Sequence, residues 1–223
     1  MICQIYTIQT SDEAIKLIEA GVDHIGITPT QCGLPGEVTI EQAKNIFDAI
    51  GSKATKVALS VDDNPDAVIK MLLALKPDIV HLTGFKLFAT PEFVAKIKKT
   101  CPDVRVMQAV AVNRPDAVNK AKYFSEFVDL ILLDSVDLNN DVIGASGITN
   151  DWNISKKIVE ISKVPVILAG GLNPENVAEA IRIVKPWGVD SMTKTDKILA
   201  NGGFIKDIER VTEFCKVAKS VQL

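Results

Sequence analysis

The chain has 223 residues, of which 47% are hydrophobic and 24% charged, and its net charge is −3. That composition excludes a disordered chain, and the length suits one domain, residues 1–223, with a large buried core. The acidic balance gives no support to nucleic acid as the main partner, and no apolar run approaches the length of a membrane span.

The N-terminus, MICQIYTIQT, lacks a basic stretch followed by an apolar core, so no signal peptide is expected. The four cysteines, Cys3, Cys32, Cys101 and Cys215, show no CxxC spacing, and the two histidines, His24 and His81, lie in different segments. No metal site and no cofactor are expected from such a set, and free thiols fit a reducing cytoplasm.

Apolar strand-like runs alternate with amphipathic helix-like runs from end to end. The first pair is a strand at Ile2–Thr7 and a helix at Asp12–Ala20. There follow His24–Ile27 with Ile40–Ile50, Lys56–Val61 with Pro65–Leu75, and Ile79–Leu82 with Pro91–Thr100. The second half repeats the plan: Val104–Ala109 with Pro115–Phe124, Leu130–Leu133 with Asn153–Ser162, Val166–Leu168 with Pro174–Val184, and Gly188–Asp190 with Ile205–Lys219. The helical runs carry the 3.6-residue period, as Ala178, Ile181 and Val184 do. Several open with Pro in the first turn, where a helix tolerates it.

Eight strand–helix pairs in this length predict an α/β fold, the (β/α)8 TIM barrel. A doubly wound sheet is the alternative, but its early GxGxxG turn is missing after the first strand. In a barrel the chemistry sits at the C-terminal ends of the strands, so eight short windows hold the candidates. The window after the sixth strand, from Ser135 to Asp151, is long and rich in Gly, Asn and Asp, as binding loops and lids are.

Within the windows, Asp134 shares a strand face with Leu132, so it stands at the mouth of an apolar barrel. Desolvation there should raise its pKa toward that of a general acid; a loop-bracing Asp is the plainer alternative. His81 and Thr83 share a face of the fourth strand, and His81 reads equally as a core residue or a catalyst. His24 reads as structural. On the first strand Cys3 lies on the face opposite Gln4 and Tyr6, and reads first as a small buried hydrophobe. The stretch VPVILAGGLNPENVAEAI runs from an apolar strand through Gly170 and Gly171 into a helix. Two glycines strip the turn of side chains beside a helix N-terminus, which suits an anion or merely a tight turn. Lys194, after the last strand, can face such an anion.

These windows resemble one family, the phosphoribosylanthranilate isomerases of tryptophan biosynthesis, which are ribulose-phosphate-binding barrels. LLDS is similar to the ending of the family's sixth strand, whose Asp is the general acid; the resemblance carries that role to Asp134. GASGITNDW, Gly144 to Trp152, resembles the family's GGTGxxxDW loop and implies a substrate contact at Gly147. PVILAGGLNPENV nearly repeats the family's phosphate-binding turn, implying phosphate contacts at Gly170 and Gly171. WGVDSMTKTDK stands where the family has GVDxxSGVE, which adds Ser191, Thr193 and Lys194 to the cup.

Three departures accompany the likeness. The family's KxCG strand supplies a Cys as general base. An ungapped alignment puts Tyr6 at that place; a gapped one puts Cys3 there. His81 is a third candidate base. The family's SPRxV has an Arg that holds the substrate, where this chain has Gly36 in LPGEV. The family's VQLHG is VHLTG here. The resemblance therefore implies an aldose–ketose isomerase without a cofactor, acting on a small phosphorylated sugar, as a monomer or homodimer. The departures leave a diverged phosphosugar-binding barrel as the alternative. The ungapped alignment predicts Tyr6 in the barrel mouth and Cys3 against the helices.

Overall fold

The computed structural model describes residues 1–30, 32–83, 88–137, 142–143 and 151–222. In chain order the elements are β1 (Ile2–Ile5), α1 (Ser11–Glu19), β2 (His24–Ile27), α2 (Ile40–Ile50), β3 (Thr55–Ser60), α3 (Pro65–Leu75), β4 (Ile79–Leu82) and α4 (Pro91–Thr100). The second half continues with β5 (Arg105–Ala111), α5 (Ala117–Phe124), β6 (Leu130–Asp134), β7 (Val136–Asp137), β8 (Val142–Ile143), α6 (Trp152–Ile161), β9 (Val166–Leu168), α7 (Val177–Val184), β10 (Gly188–Ser191), β11 (Asp196–Ile198), β12 (Phe204–Lys206) and α8 (Ile208–Ser220). Strands β1, β2, β3, β4, β5, β6, β9 and β10 close into a parallel barrel, with β10 returning to pair with β1. The α/β (β/α)8 barrel expected from the alternation is the fold.

Successive residues on a strand face opposite ways, so a closed barrel sorts each strand into two sets. The outward set, including Cys3, Ile5, Ile25, Val80, Ile131, Leu133 and Val189, packs with helix residues such as Leu17, Ile46, Leu72, Ile97 and Phe214. The inward set forms a separate, smaller core of Tyr6, Val57, Ile79, Met107, Leu130, Leu132, Ile167 and Ala169. The helices are held in place by ordinary caps. Thr39 and Gln42 form a reciprocal capping box at α2, while Thr10, Asn64, Thr90, Asp151 and Asp207 cap α1, α3, α4, α6 and α8 through their side chains.

Besides shifts of one or two residues at element ends, such as β1 ending at Ile5 rather than Thr7, and the short β7–β8 pair in the sixth loop, two helices begin three residues later than expected. The last helix begins at Ile208, not Ile205, because residues 204–206 pair antiparallel with 196–198. Asn201, Gly202 and Gly203 supply the turn of this hairpin, with Gly202 at φ 82°. Helix α7 begins at Val177 rather than Pro174. Asn173 does not cap it directly: its side chain accepts from the N–H groups of Glu175 and Asn176 and makes a tight turn ahead of the helix.

Gly26 shows how the inward set is fitted. A Cβ there would lie 2.3 Å from Cδ1 of Tyr6, so the phenol ring occupies the space that any side chain on that face of β2 would need. Gly26→Ala is expected to cost about 1–3 kcal/mol by overpacking. In a Tyr6→Cys background most of that cost should vanish. Urea denaturation of the two single variants and the double variant measures the coupling, and strictly additive costs would disprove the ring contact.

Candidate active site

At the C-terminal mouth of the barrel a pocket is lined by Tyr6, Thr7, Thr28, Leu34, Pro35, Leu59, Val61, His81, Thr83, Ala109, Leu132, Asp134, Asp190 and Met192. Beside it lies a smaller recess lined by Gly170, Gly171, Leu172, Ser191, Met192, Thr193 and Lys194. Asp134, Asp190 and Met192 line both, so the two carboxylates stand at the junction.

The floor of the pocket is a side-chain bridge across the barrel. Tyr6 reaches from β1 over Gly26 to His81 on β4, and its hydroxyl lies 2.6 Å from His81 Nδ1. Burial raises the Tyr6 phenol well above its usual value of 10, and the Asp190 charge adds to that. Burial lowers His81 to about 3, so the imidazole is neutral. His81 Nε2 is buried without a hydrogen-bond partner among the described residues. A phenol that donates to Nδ1 leaves the imidazole proton on Nε2 and satisfies both groups at their contact; the reverse arrangement leaves the phenol proton without an acceptor. His81 therefore carries its proton on a buried Nε2 and has no free basic lone pair.

The junction carboxylates are set differently. Asp134 ends β6 and keeps part of its surface toward the pocket, yet the surrounding protein desolvates it and raises its pKa to about 7, against a smaller lowering by the Ser135 N–H bonded to Oδ1 at 2.7 Å. Asp190 is buried inside β10. Desolvation pushes it up to about 8, the Gln4 amide lowers it, and the Asp134 charge raises it. Gln4 Nε2 donates to Asp190 Oδ1 at 3.1 Å, and its carbonyl oxygen meets His24 Nδ1, also at 3.1 Å. Burial lowers His24 to about 4, so it too is neutral and donates through Nδ1. A relay of neutral groups thus runs from the barrel floor to one oxygen of Asp190.

The recess is a backbone structure. Gly170 and Gly171 have φ values of 85° and 66°, a region that favours glycine. The Ser191 hydroxyl is turned away from ligand duty: it donates to Leu172 O at 2.8 Å and ties β10 to the glycine turn. Thr193 and Lys194 are exposed at the rim. Arg210 on α8 clamps that rim, donating to Lys194 O and, through two bonds, to Glu175. Lys206 is buried, paired with Asp196 and donating to Met192 O.

Cys3 lies elsewhere. It is fully buried on the outward face of β1, in the same core as Cys215 on α8. A role for Cys3 as base is corrected by this geometry, because the sheet separates it from the pocket. Gly147 lies outside the described residues. Gly36, at φ 74°, faces Thr7 and Phe204: a Cβ there would lie 2.8 Å from Phe204 Cζ and 2.9 Å from Thr7 Cβ. Thr7 itself has φ 63°, a conformation that β-branched residues avoid, and its hydroxyl is bonded to Tyr6 O.

The family model of N-(5'-phosphoribosyl)anthranilate (PRA) isomerase matches residues 3–217. The chain belongs to that family. Among relatives, the N-(5'-phosphoribosyl)anthranilate isomerase of Methanocella arvoryzae is 32% identical over 205 residues, 92% of each chain. The crystal structure of phosphoribosylanthranilate isomerase from Thermotoga maritima has a TM-score of 0.81 at 26% identity, covering 99% of this chain and 100% of that one. A further isomerase structure, in complex with reduced 1-(o-carboxyphenylamino)-1-deoxyribulose 5-phosphate, has a TM-score of 0.79 at 25% identity, covering 99% of this chain and 100% of that one. In this chain Tyr6 faces the pocket, and Cys3 does not.

Gln4, Asp190 and Phe204 were absent from the sequence-derived candidates. Asp190 carried a readable signal, since an Asp inside an apolar parallel strand is as anomalous as Asp134 at the end of one. Gln4 and Phe204 carried none, because their partners lie 186 and 168 residues away in Asp190 and Gly36.

Two measurements test these assignments. His81 should appear in nitrogen-15 spectra as a neutral ring with its proton on Nε2 from pH 5 to 8; an imidazolium at pH 5.5 would overturn the description. Asp190 has a folded pKa raised far above the unfolded value, so the folded state binds more protons between about pH 4 and pH 8. Its stability contribution is therefore present at low pH and lost as pH rises through about 8. Asp190→Asn should flatten this decline in urea-unfolding free energy, gaining more relative to the unmodified protein at pH 8.5 than at pH 4.5.

Proposed function

We propose that this protein is a phosphoribosylanthranilate isomerase of tryptophan biosynthesis, converting N-(5-phosphoribosyl)anthranilate to 1-(o-carboxyphenylamino)-1-deoxyribulose 5-phosphate by an Amadori rearrangement. The observation that carries this reading is Asp134, a carboxyl lifted to about 7 that lines both the pocket and the glycine recess. A sugar with its phosphate on the N–H groups of Gly170 and Gly171 would lie with its ring beside that carboxyl. Thr193 and Lys194 would close the phosphate site from the rim, and Gly147 would contact the substrate from the long loop. Asp134 is read as the general acid that protonates the furanose ring oxygen.

The reaction needs no cofactor on this reading. The protein is read as one domain, a cytoplasmic enzyme acting as a monomer or homodimer. The four thiols, all free, support a reducing compartment. Among the described residues no helix is long and apolar enough to cross a membrane.

One observation favours a second reading. No Lys or Arg lines the pocket among its described residues, and Phe204 with Thr7 fills the space beside Gly36, where the family has its substrate-holding Arg. A phosphoribosylamine whose nitrogen substituent lacks a carboxylate would fit that end better than anthranilate.

Loss of phosphoribosylanthranilate fluorescence with purified protein tests the first reading. Asp134→Asn should lower turnover about 10²–10⁴-fold. Cys3→Ser should leave turnover nearly unchanged. Absence of turnover with anthranilate, together with turnover of the corresponding aniline derivative, would select the second reading.

A further inference from the structure

We infer that Asp190 is the catalytic base of this enzyme, and that it works with Asp134 as a pair holding one proton. The inference rests on the isomerase reading above and supplies what that reading lacks, since the family's thiol is gone from the pocket.

The other candidate bases fail on geometry. Cys3 faces α8 through the wall of the barrel. The lone pair of His81 Nδ1 is occupied by the Tyr6 hydroxyl, and its other nitrogen carries the proton. The Tyr6 phenol is buried beside Asp190, where an anion is doubly opposed. Asp190 remains. It lines the same junction as Asp134, and the Gln4 amide donates to one of its two oxygens, Oδ1. Asp134 on β6, Gln4 on β1, Tyr6 just after it and Lys206 on β12 are the polar and charged groups that face it, with Glu13 and Asp196 set around the Lys206 ammonium. Lys206 favours its carboxylate form, and Asp134 opposes simultaneous ionisation. Two carboxyls with midpoints of about 7 and 8 hold one proton between those values; the form with the proton on Asp134 and the charge on Asp190 is the minor one, about tenfold less populated than the reverse, and is the form that reacts.

A single shared proton is what the rearrangement requires. Protonated Asp134 gives its proton to the ring oxygen as the C1'–O bond breaks and the nitrogen lone pair forms the C1'=N bond. The Asp190 carboxylate takes the C2' proton; the C–H electrons form C1'=C2', and the C=N electrons return to nitrogen. Asp190 then returns its proton to C1', and the enol hydroxyl proton goes to Asp134 as C2' becomes the carbonyl. The product is an isomer of the substrate, and the pair is restored with its one proton.

The test combines kinetics with a readout that needs no substrate. Asp190→Asn should lower kcat at least about 100-fold with KM little changed, and the kcat–pH profile of the unmodified enzyme should be bell-shaped. Asp190→Glu, which keeps the carboxylate, should recover part of the loss. Independently, carbon-13 spectra of the labelled carboxyls should show the pair taking up one proton near neutrality, and Asp190→Asn should lower the midpoint of Asp134. Retained kcat in Asp190→Asn, or a loss confined to KM, would overturn the inference, as would spectra with both carboxyls ionised at pH 5. If the unmodified protein does not turn over phosphoribosylanthranilate, the substrate reading fails, and the spectra still decide whether the pair exists.

Discussion

In a closed parallel barrel a residue on a strand has two directions available, toward the axis or toward the helices, and its neighbours take the other one. Every feature of this site depends on that constraint. It sends Gln4 and Tyr6 inward and Cys3 and Ile5 outward on β1, and it aligns His81 with Thr83 and Leu132 with Asp134. The Cys3 thiol is thereby excluded from chemistry however reactive it is, because a shift of one residue would turn the whole strand's apolar face the wrong way.

The inward positions then compete for a small volume. The Tyr6 ring fits only because Gly26 has no side chain, and the His81 imidazole meets the ring's hydroxyl on the far side. This bridge separates the apolar interior from the polar mouth. Above it the site holds two carboxyls in a desolvated setting. Beneath Asp190 the Gln4–His24 relay fixes one of its oxygens, in the way second-layer contacts commonly orient a reacting group.

A second adjustment concerns the far end of the pocket. The hairpin of β11 and β12 brings Phe204 to Gly36, while Gln9 Nε2 donates to Phe204 O and holds the hairpin against the first loop. Thr7 completes the contact in a left-handed conformation costing on the order of 1–3 kcal/mol. Strain of that size persists where neighbouring groups over-determine the backbone, and here the Thr7 hydroxyl, Phe204 and Gly36 do so. Residues 6, 7, 26 and 36 therefore form one packed unit.

The barrel was legible in the sequence because periodicity is local: an apolar run followed by a 3.6-residue pattern declares its element within a dozen residues, and eight repetitions leave one leading architecture. The glycine turn and Asp134 were legible for the same reason, each being an anomaly inside its own segment. Parity along β1 even separated Tyr6 from Cys3 without coordinates. The hairpin at 196–206 was written in Asn201–Gly202–Gly203 but was masked by the apolar residues beside it, which read as the start of α8. What only the tertiary structure decided was partnership. That Tyr6 spends its hydroxyl on His81, that Gln4 holds Asp190, and that Phe204 fills the space at Gly36 depend on strands closing into a ring. Ring closure brings together residues 75 to 186 positions apart, and no spacing along the chain encodes those distances.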